Sequence, residues 1–395
     1  MARRQALLDD ASARVQAMRD EFFRTAPLSS RSWGSSAPTL GNDGRLTLTV
    51  HESDEYHRRV EAFTLVSEVD GTIRRIGEAT VDVDPGPDRR VRDGESEPTY
   101  DELAALAERH LGRTVAQAWL EHLAPAVRLA HAQPGDLVVG QLGGLPMLPI
   151  NSWPVWPGYG PLSHVMSLDC SKLSPMLPAL RLPESGLLSF FYFDGQFDNH
   201  LATVTVTDRD SETVEGIRTL WFDPVVDAPP ELAPVVTQPP AGLQAFPAIA
   251  LTPIPTLTWP TWEHVELRRV WAAHGLEQPR PGVPPEAVNA LYDVLDERGY
   301  VAPNHQLGGH AFPEQSAVEM DLAAACLRRF GATEIGYGSP EFEEHERGWQ
   351  LLLQVDTDDD ADMMWGDVGK LYFLMRPADL EAGNFGEVGF TWQCG

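Results

Sequence analysis

The sequence predicts an α+β protein of two similar halves with mainly antiparallel strands, preceded by an N-terminal helix and β-hairpin extension. Three observations lead to this prediction: one tetrapeptide occurs twice, similar strand-like segments follow both copies in the same order, and helical periodicity precedes them. The chain has 395 residues, of which 43% are hydrophobic. It is therefore long and apolar enough for two or three domains with a sizeable core.

The internal repeat consists of three ordered matches. A Gln-Leu-Gly-Gly tetrapeptide comes first, an apolar strand ending in aspartate follows, and a glycine then opens an aromatic strand. The matched segments are Gln141–Gly144 with Gln306–Gly309, Val165–Asp169 with Leu352–Asp356, and Gly186–Phe193 with Gly369–Met375. Aromatic residues on both faces of a strand indicate burial on both sides. The repeat therefore predicts two halves, residues 99–224 and 261–395, packed around a pseudo-two-fold axis.

Local patterns predict the remaining elements. In the extension, residues 1–98, apolar residues spaced as on one helical face indicate a helix over Leu8–Phe22, and Asp70-Gly71 between alternating runs indicates a hairpin. Thr99 and Glu102 fit a capping box, which begins a helix that Gly112 ends. Further helices are predicted over residues 114–124, 261–275, 284–299 and 313–330. Ten prolines between residues 224 and 260 exclude a central strand and predict an extended connector, residues 225–260.

The net charge of −28 restricts the classes of partner. Nucleic acids and anionic membrane surfaces repel such a chain, whereas a basic protein is attracted to it. Three widely spaced cysteines suit a reducing compartment, and no apolar run reaches the length of a membrane span. The sequence therefore predicts a cytoplasmic protein that binds neither nucleic acid nor membrane.

Several longer motifs carry a resemblance to a known family. They are Gly143–Pro146, Trp153-Pro154, Leu182-Pro183 with Gly186–Phe191, His305–Gly309, Leu352–Asp358 and Met364–Gly369. In this order they resemble the YwqG-like family, a bacterial domain of unknown function, over about residues 102–395. The resemblance implies a duplicated α+β fold. Because members are often encoded near secreted polymorphic toxins, it also implies an immunity or partner-binding role, and it implies no catalytic residues.

An aspartate-rich loop is the sharpest local feature. Asp356, Asp358, Asp360 and Asp367 alternate in a way that resembles a calcium-binding EF-hand loop. However, Ala361 stands where the sharp turn requires glycine, and the flanking segments indicate strands instead of helices. Two interpretations stay open: a Ca²⁺ or Mg²⁺ site of another kind, and a solvated acidic turn between two strands.

Aromatic residues provide two further candidate ligand sites. Trp365, between methionines and Gly366-Asp367, suits either the mouth of a cleft that binds a cation or a sugar, or a position in the core. Trp153, Trp156 and Tyr159 alternate with prolines and glycine. They form either a binding lip or a small plug of the core.

The glycine pairs and the histidines carry weaker signals. Neither Gly-Gly pair has the spacing of a phosphate-binding loop, so the glycines are interpreted as turn or close-packing positions. His305 and His310 flank the second pair and are candidate zinc ligands or acid–base groups, with structural roles as the alternative.

The sequence shows no catalytic constellation, so enzymatic activity stays an open question. The leading hypothesis is a protein-binding module of immunity or regulatory type with a basic partner. The alternative is a small-molecule- or metal-binding protein or enzyme, with Asp169, Trp365 and the aspartates facing one another in a cleft between the halves. A structural subunit of a larger assembly is the third hypothesis.

Overall fold

The computed structural model describes residues 97–149, 152–196, 203–208, 211–223, 235–276, 278–279, 282–299, 302–329 and 336–395, together with the backbone of five strands between residues 32 and 82. The chain divides into two compact units, residues 1–89 and 90–395. Each unit is described by itself.

The first unit contains an antiparallel sheet. Its strands are β1 (Ser32–Ser35), β2 (Thr39–Leu40), β3 (Leu46–Ser53), β4 (Arg59–Ser67) and β5 (Ile73–Asp82). They pair in the order β1-β3-β4-β5, and β2 pairs with β3. Strands β4 and β5 pair antiparallel from Ser67 and Ile73 onward, as the predicted hairpin requires. The helix predicted over Leu8–Phe22 lies outside the described residues.

The second unit mixes helices with one large antiparallel sheet. Its α-helices are α1 (Tyr100–Leu111), α2 (Arg113–Leu120), α3 (Cys170–Leu173), α4 (Val265–Ala273), α5 (Glu286–Gly299), α6 (Val318–Arg329), α7 (Pro340–Glu346) and α8 (Pro377–Glu381). Single 3-10 turns span Pro178–Leu180, Val214–Gly216, Asp359–Ala361 and Phe385–Glu387. The mixed helix and strand composition confirms the predicted α+β class at this level.

Helices α1, α2, α4 and α5 share one apolar core. Leu103, Trp119, Trp271 and Leu291 are buried together there. The predicted capping box at the start of α1 is confirmed, because the amide of Glu102 donates to Thr99 Oγ1 and the amide of Thr99 donates to Glu102 Oε2. These reciprocal bonds satisfy amides that the first helical turn leaves without partners.

The described residues of the second unit also form fourteen strands. They are β6 (Ala124–His131), β7 (Gly140–Leu142), β8 (Met147–Leu148), β9 (Val155–Trp156), β10 (Gly160–Pro161), β11 (Ser163–Asp169), β12 (Leu187–Tyr192), β13 (Ile217–Phe222), β14 (Val235–Val236), β15 (Ile249–Thr258), β16 (Gln306–Leu307), β17 (Gln350–Asp356), β18 (Lys370–Met375) and β19 (Gly389–Gln393). Ten of them form one sheet in the order β13-β12-β11-β7-β15-β6-β16-β17-β18-β19. Strands β8 and β14, and β9 and β10, form two separate ribbons.

The order of the sheet is mirrored about its central pair, β15 and β6. The first strand outward on each side contains Gln-Leu and is followed by a Gly-Gly pair (β7 and β16). The next strand ends in aspartate (β11 and β17), and an aromatic strand (β12 and β18) and a terminal strand (β13 and β19) follow it. In both motifs the glutamine Nε2 donates to the carbonyl of the first glycine at 2.8 Å, from Gln141 to Gly143 and from Gln306 to Gly308.

The two ends of this sheet curl toward each other until they nearly meet. Phe190 of β12 and Phe373 of β18 lie 5.1 Å apart, ring centre to ring centre, although six strands separate β12 from β18 in the sheet. Thr207, which lies between β12 and β13 in the sequence, exchanges two backbone hydrogen bonds with Phe390 of the last strand, β19. The inner face therefore encloses one apolar core, which stabilises both halves of the sheet at once.

The proline-rich segment departs most from the sequence prediction. Residues 249–258 form β15, a central strand, so the exclusion of such a strand was wrong. The carbonyl of Ala250 accepts a bond from the amide of Ala132, which directly follows β6, and the carbonyl of Leu251 accepts one from the amide of Val139 on the other side. The backbone nitrogens of Pro253 and Pro255 point to the same side of the strand as the backbone polar groups of Leu251, because alternate residues of a strand point their amides the same way. Pairing with β7 ends at Leu251, so their missing amides face no β7 partner.

Three predicted helix bounds also need correction. Helix α2 ends at Leu120, because Ala124 already pairs with Thr258 as a strand residue. Helix α4 begins at Val265, and α6 begins at Val318 instead of Pro313. The residues before α6 are held by side chains: for example, the amide of Gln315 donates to Gln393 Oε1. Pro260 and Pro313 therefore precede α4 and α6 by several residues and are not their first helical residues.

Candidate functional site

Two histidines and an aspartate meet at one end of the large sheet. His131 Nε2 lies 2.7 Å and His305 Nε2 lies 2.9 Å from the same oxygen, Asp358 Oδ2. One potential ligand atom from each of these three side chains lies within 4.8 Å of the other two. Among the described residues, no other group of three histidine, cysteine or acidic side chains is this close. We call them the His-Asp-His cluster.

The strand order brings these distant residues together. His131 ends β6, His305 directly precedes β16, and Asp358 follows β17 by two residues. Strands β6, β16 and β17 are antiparallel neighbours, so the end of β6, the start of β16 and the end of β17 lie at the same edge. Local sequence around each residue does not indicate this meeting.

Asp358 is buried and has hydrogen-bond donors on both carboxylate oxygens. Oδ2 accepts from the two histidines, whereas Oδ1 accepts from the amides of Asp360 and Ala361 as the N-cap of the short 3-10 turn. Burial alone raises the pKa of this carboxyl, but the hydrogen bonds from His131 and His305 outweigh burial and leave the pKa well below its usual range. Asp358 therefore stays ionised at neutral pH.

The hydrogen bonding of His305 tests whether a metal fits the cluster. The amide of Asp356 donates to His305 Nδ1 at 3.1 Å, so neutral His305 carries its proton on Nε2 and donates it to Asp358. A metal on Nε2 requires that nitrogen without its proton, usually with Nδ1 donating to an acceptor. The arrangement therefore fits a hydrogen-bonded proton site better than a metal centre.

His131 is the solvent-accessible member of the cluster, with 26% of its side chain exposed. Its Nδ1 lies 3.6 Å from Asp360 Oδ2. The hydrogen bond with Asp358 raises the pKa of His131 above its ordinary value, and the charges of Asp358 and Asp360 add to this effect against partial burial. His131 therefore holds its proton to a higher pH than a free histidine does.

The raised pKa predicts a pH-dependent stability. A histidine with a raised folded-state pKa contributes stability that is fully present below its unfolded value, about 6.5, and is lost as pH rises through the folded value. We expect the free-energy difference between wild type and His131→Gln to shrink as urea unfolding is measured from pH 5.5 to pH 8.5. A difference that stays constant over this range would contradict the assignment.

Residues 357–368, which include Asp358 of the cluster, form a segment that we call the acidic loop. Asp359, Asp360, Asp362 and Asp367 are exposed there, as are Met364 (49%) and Val368 (38%). Between them, Ala361, Met363 and Trp365 are buried in the core of the sheet. Exposed and buried side chains thus alternate along one short loop, which presents acidic and apolar groups on an anchored backbone.

The aspartates predicted as metal ligands have separate environments. Asp356 accepts from the amide of Asn304, Asp360 and Asp367 are exposed, and Asp358 binds the two histidines. Of the four, Asp358 is hydrogen-bonded to both histidines, and Asp360 lies 3.6 Å from His131 Nδ1. Within the acidic loop, the backbone forms a capped 3-10 turn between two strands.

The predicted aromatic candidates lie mainly in the core. Trp365 is 3% exposed, and its Nε1 donates to the carbonyl of Asp356. Trp153 Nε1 donates to the carbonyl of Leu162. Trp156 is buried, and half-exposed Tyr159 stacks on it at 4.1 Å. This arrangement corresponds to the plug interpretation: Trp153 is partly buried against the core, and Tyr159 is the most exposed of the three.

The remaining candidates do not join the cluster through any hydrogen bond. Asp169 caps α3 and pairs with Lys172. His310 Nε2 donates to the carbonyl of His122, and burial lowers the pKa of His310 to about 4. Gly143 and Gly308 have positive φ angles and pack against neighbouring atoms, which confirms their interpretation as turn and packing positions.

Sequence analysis missed His131. No motif surrounds it, and 227 positions separate it from Asp358. A histidine at the end of a strand is too common to indicate a site. Its role becomes visible when the sheet order places β6 next to β16.

The fold and this site define a mixed helix and strand protein with one large, curled antiparallel sheet. A family model described as "Domain of unknown function (DUF1963)" matches residues 140–394, more than half of the chain. The protein belongs to this family. A comparison with curated proteins finds no match. In the part of the chain that the structure describes, no helix has the length and apolar character to cross a membrane.

Proposed function

We propose that this protein is a protein-binding module that uses the acidic loop to bind a basic, partly apolar segment of another protein. The observation that carries the proposal is the exposure of Met364 and Val368 among aspartates, on a loop whose alternate side chains are buried. Apolar anchors rimmed by charge are typical of protein interfaces. The proposed type is an immunity or regulatory protein, in line with the YwqG-like resemblance.

The backbone of the acidic loop supports this proposal because it is held in one conformation. Met363 exchanges two backbone bonds with Asp358, and the amide of Gly369 donates to the carbonyl of Trp365. Val368 has a φ of 51°, a left-handed conformation that β-branched residues rarely adopt. A loop that is ordered before binding loses little entropy on binding.

Charge supports the chemistry of the proposed partner. The loop has no lysine or arginine, and the whole chain has a net charge of −28. A basic partner is therefore drawn to the molecule over a distance and meets carboxylates at the loop. Because salt screens such attraction, the affinity is expected to fall as ionic strength rises.

We further propose that the second unit arose by internal duplication. The mirrored strand order about β15 and β6 supports this, as does the equivalent bonding of Gln141 and Gln306. The His-Asp-His cluster takes His131 from the first half and His305 and Asp358 from the second, and it is not repeated at the first motif, where Gly140 stands in the place of His305. Duplication followed by divergence of one edge accounts for a single acidic loop.

Methyl NMR tests the proposed binding surface. The chain has nine methionines, and ¹³C-methyl labelling reports on Met364 separately once Met364→Leu assigns its signal. A peptide of alternating arginine and leucine is expected to shift the Met364 signal, with an affinity that falls at higher salt. Asp362→Asn with Asp367→Asn should weaken binding roughly 3- to 10-fold, as two exposed charge pairs do.

The matched control removes the same charge elsewhere. Glu108 in α1 and Glu121 at the end of α2 are exposed and lie outside the acidic loop, so Glu108→Gln with Glu121→Gln should leave the affinity unchanged. A glutamate–leucine peptide should not shift Met364. Equal weakening by both double variants, or no Met364 shift at millimolar peptide, would refute the acidic loop as the binding surface.

A further inference from the structure

A small cavity lies on the outer face of the sheet, above β15, β6 and β16. It has a volume of about 50 Å³ and is lined by polar side chains together with Trp259 and Phe312. A volume of this size holds roughly four waters. We propose that this cavity is a binding site for a small monocarboxylate, with Arg128 as its anchor and Glu97 as an internal competitor.

Arg128 provides the positive charge of this site. It lies in β6, opposite Ile254 of β15 and Gln306 of β16, and its side chain is 14% exposed. Nη2 donates to Glu97 Oε1, whereas Nε is buried and has no hydrogen-bond partner among the described residues. A guanidinium binds a carboxylate best through two parallel bonds, so one of its donors still lacks an acceptor.

Glu97 occupies the position that a carboxylate ligand would take. It precedes Thr99, the N-cap of α1, and its carboxylate reaches Arg128 as a ligand carboxylate would. A buried donor without a partner is costly, which favours a ligand that satisfies both edges of the guanidinium. An external carboxylate therefore competes with Glu97 for Arg128.

The rest of the lining selects the class of ligand. Among the described residues that line the cavity, Arg128 is the one arginine or lysine, and burial keeps His310 neutral at pH 7 by lowering its pKa to about 4. One positive charge matches a singly charged anion better than a dianion such as hydrogen phosphate. Asn304 and Gln306 supply polar contacts, and Phe312 supplies an apolar wall for a short alkyl chain.

Calorimetric titration with acetate and propionate tests the site. Glu97→Gln removes the competing charge and is expected to bind propionate at least tenfold more tightly than wild type does. Arg128→Gln in the Glu97→Gln background should abolish binding. Glu108→Gln removes an equal charge from an exposed position of α1 and should behave as wild type. Sodium chloride at the same ionic strength controls for screening, and phosphate tests the preference for a single charge.

A second measurement keeps the test valid if the Arg128 variant does not fold. In folded Glu97→Gln, propionate should shift one buried arginine Nε–H signal in ¹H–¹⁵N spectra. The site would be refuted if propionate shifts no such signal and binds none of the variants. Equal gains in Glu97→Gln and Glu108→Gln would also refute it, because they would show a general effect of charge.

Discussion

Replacing Asp358 by alanine is expected to lower the free energy of unfolding by about 3–5 kcal/mol. Asp358 is an ionised carboxylate with 2% of its side chain exposed, and it accepts hydrogen bonds from His131, His305 and two amides. Alanine leaves the fully buried Nε2 of His305 without an acceptor and removes the cap of the 3-10 turn. The expected loss is large because each abandoned donor stays desolvated.

Asp360→Ala is the matched control for this prediction. It removes the same charge two residues away, from a side chain that is 81% exposed, and should change stability by less than about 0.5 kcal/mol. Urea unfolding followed by tryptophan fluorescence suits the comparison, since ten of the eleven tryptophans lie in the second unit. Similar losses for both variants would mean that the cluster does not anchor this edge of the sheet.

Trp365→Ala is expected to cost about 3–5 kcal/mol, the range for removing a large side chain from a core. The Trp365 ring lies edge-on to Tyr192 and Phe246, and its Nε1 donates to Asp356. Because Trp365 also anchors the middle of the acidic loop, the Met364 methyl signal should sharpen and move toward its unfolded position in this variant.

Trp221→Ala provides the comparison at a surface position. Trp221 is 38% exposed on β13, so its removal should cost clearly less in the same urea experiment. If Trp365→Ala proved as mild as Trp221→Ala, the indole would not be a core residue. The hypothesis that Trp365 lines a ligand cleft would then regain support.

Local patterns predicted the elements whose cause is local. The capping box at Thr99 and the end of α1 at Gly112 depend on residues within one turn of the helix ends, so sequence reasoning found both. The two Gln-Leu-Gly-Gly motifs were also recognisable, since each requires left-handed glycines next to a short strand. Helix starts were less accurate because Gln393 and other distant side chains hold the preceding residues.

The proline-rich strand shows where local rules fail. Pro253 and Pro255 disfavour a central strand on average, yet both fit β15 because their nitrogens point to the side where β7 has already ended. The alternating orientation and the length of the neighbouring strand decide this outcome. Neither quantity is visible in the segment itself.

The sequence by itself determined the helix caps, the repeated strand motifs, the strongly acidic charge and the position of the acidic loop after β17. The tertiary structure alone decided which residues meet: His131 with Asp358 across 227 positions, and Arg128 with Glu97 at the cavity. The physical reason is that these contacts depend on the order and curl of strands across the sheet. Composition and periodicity record which face a residue occupies, but not which distant strand lies beside it.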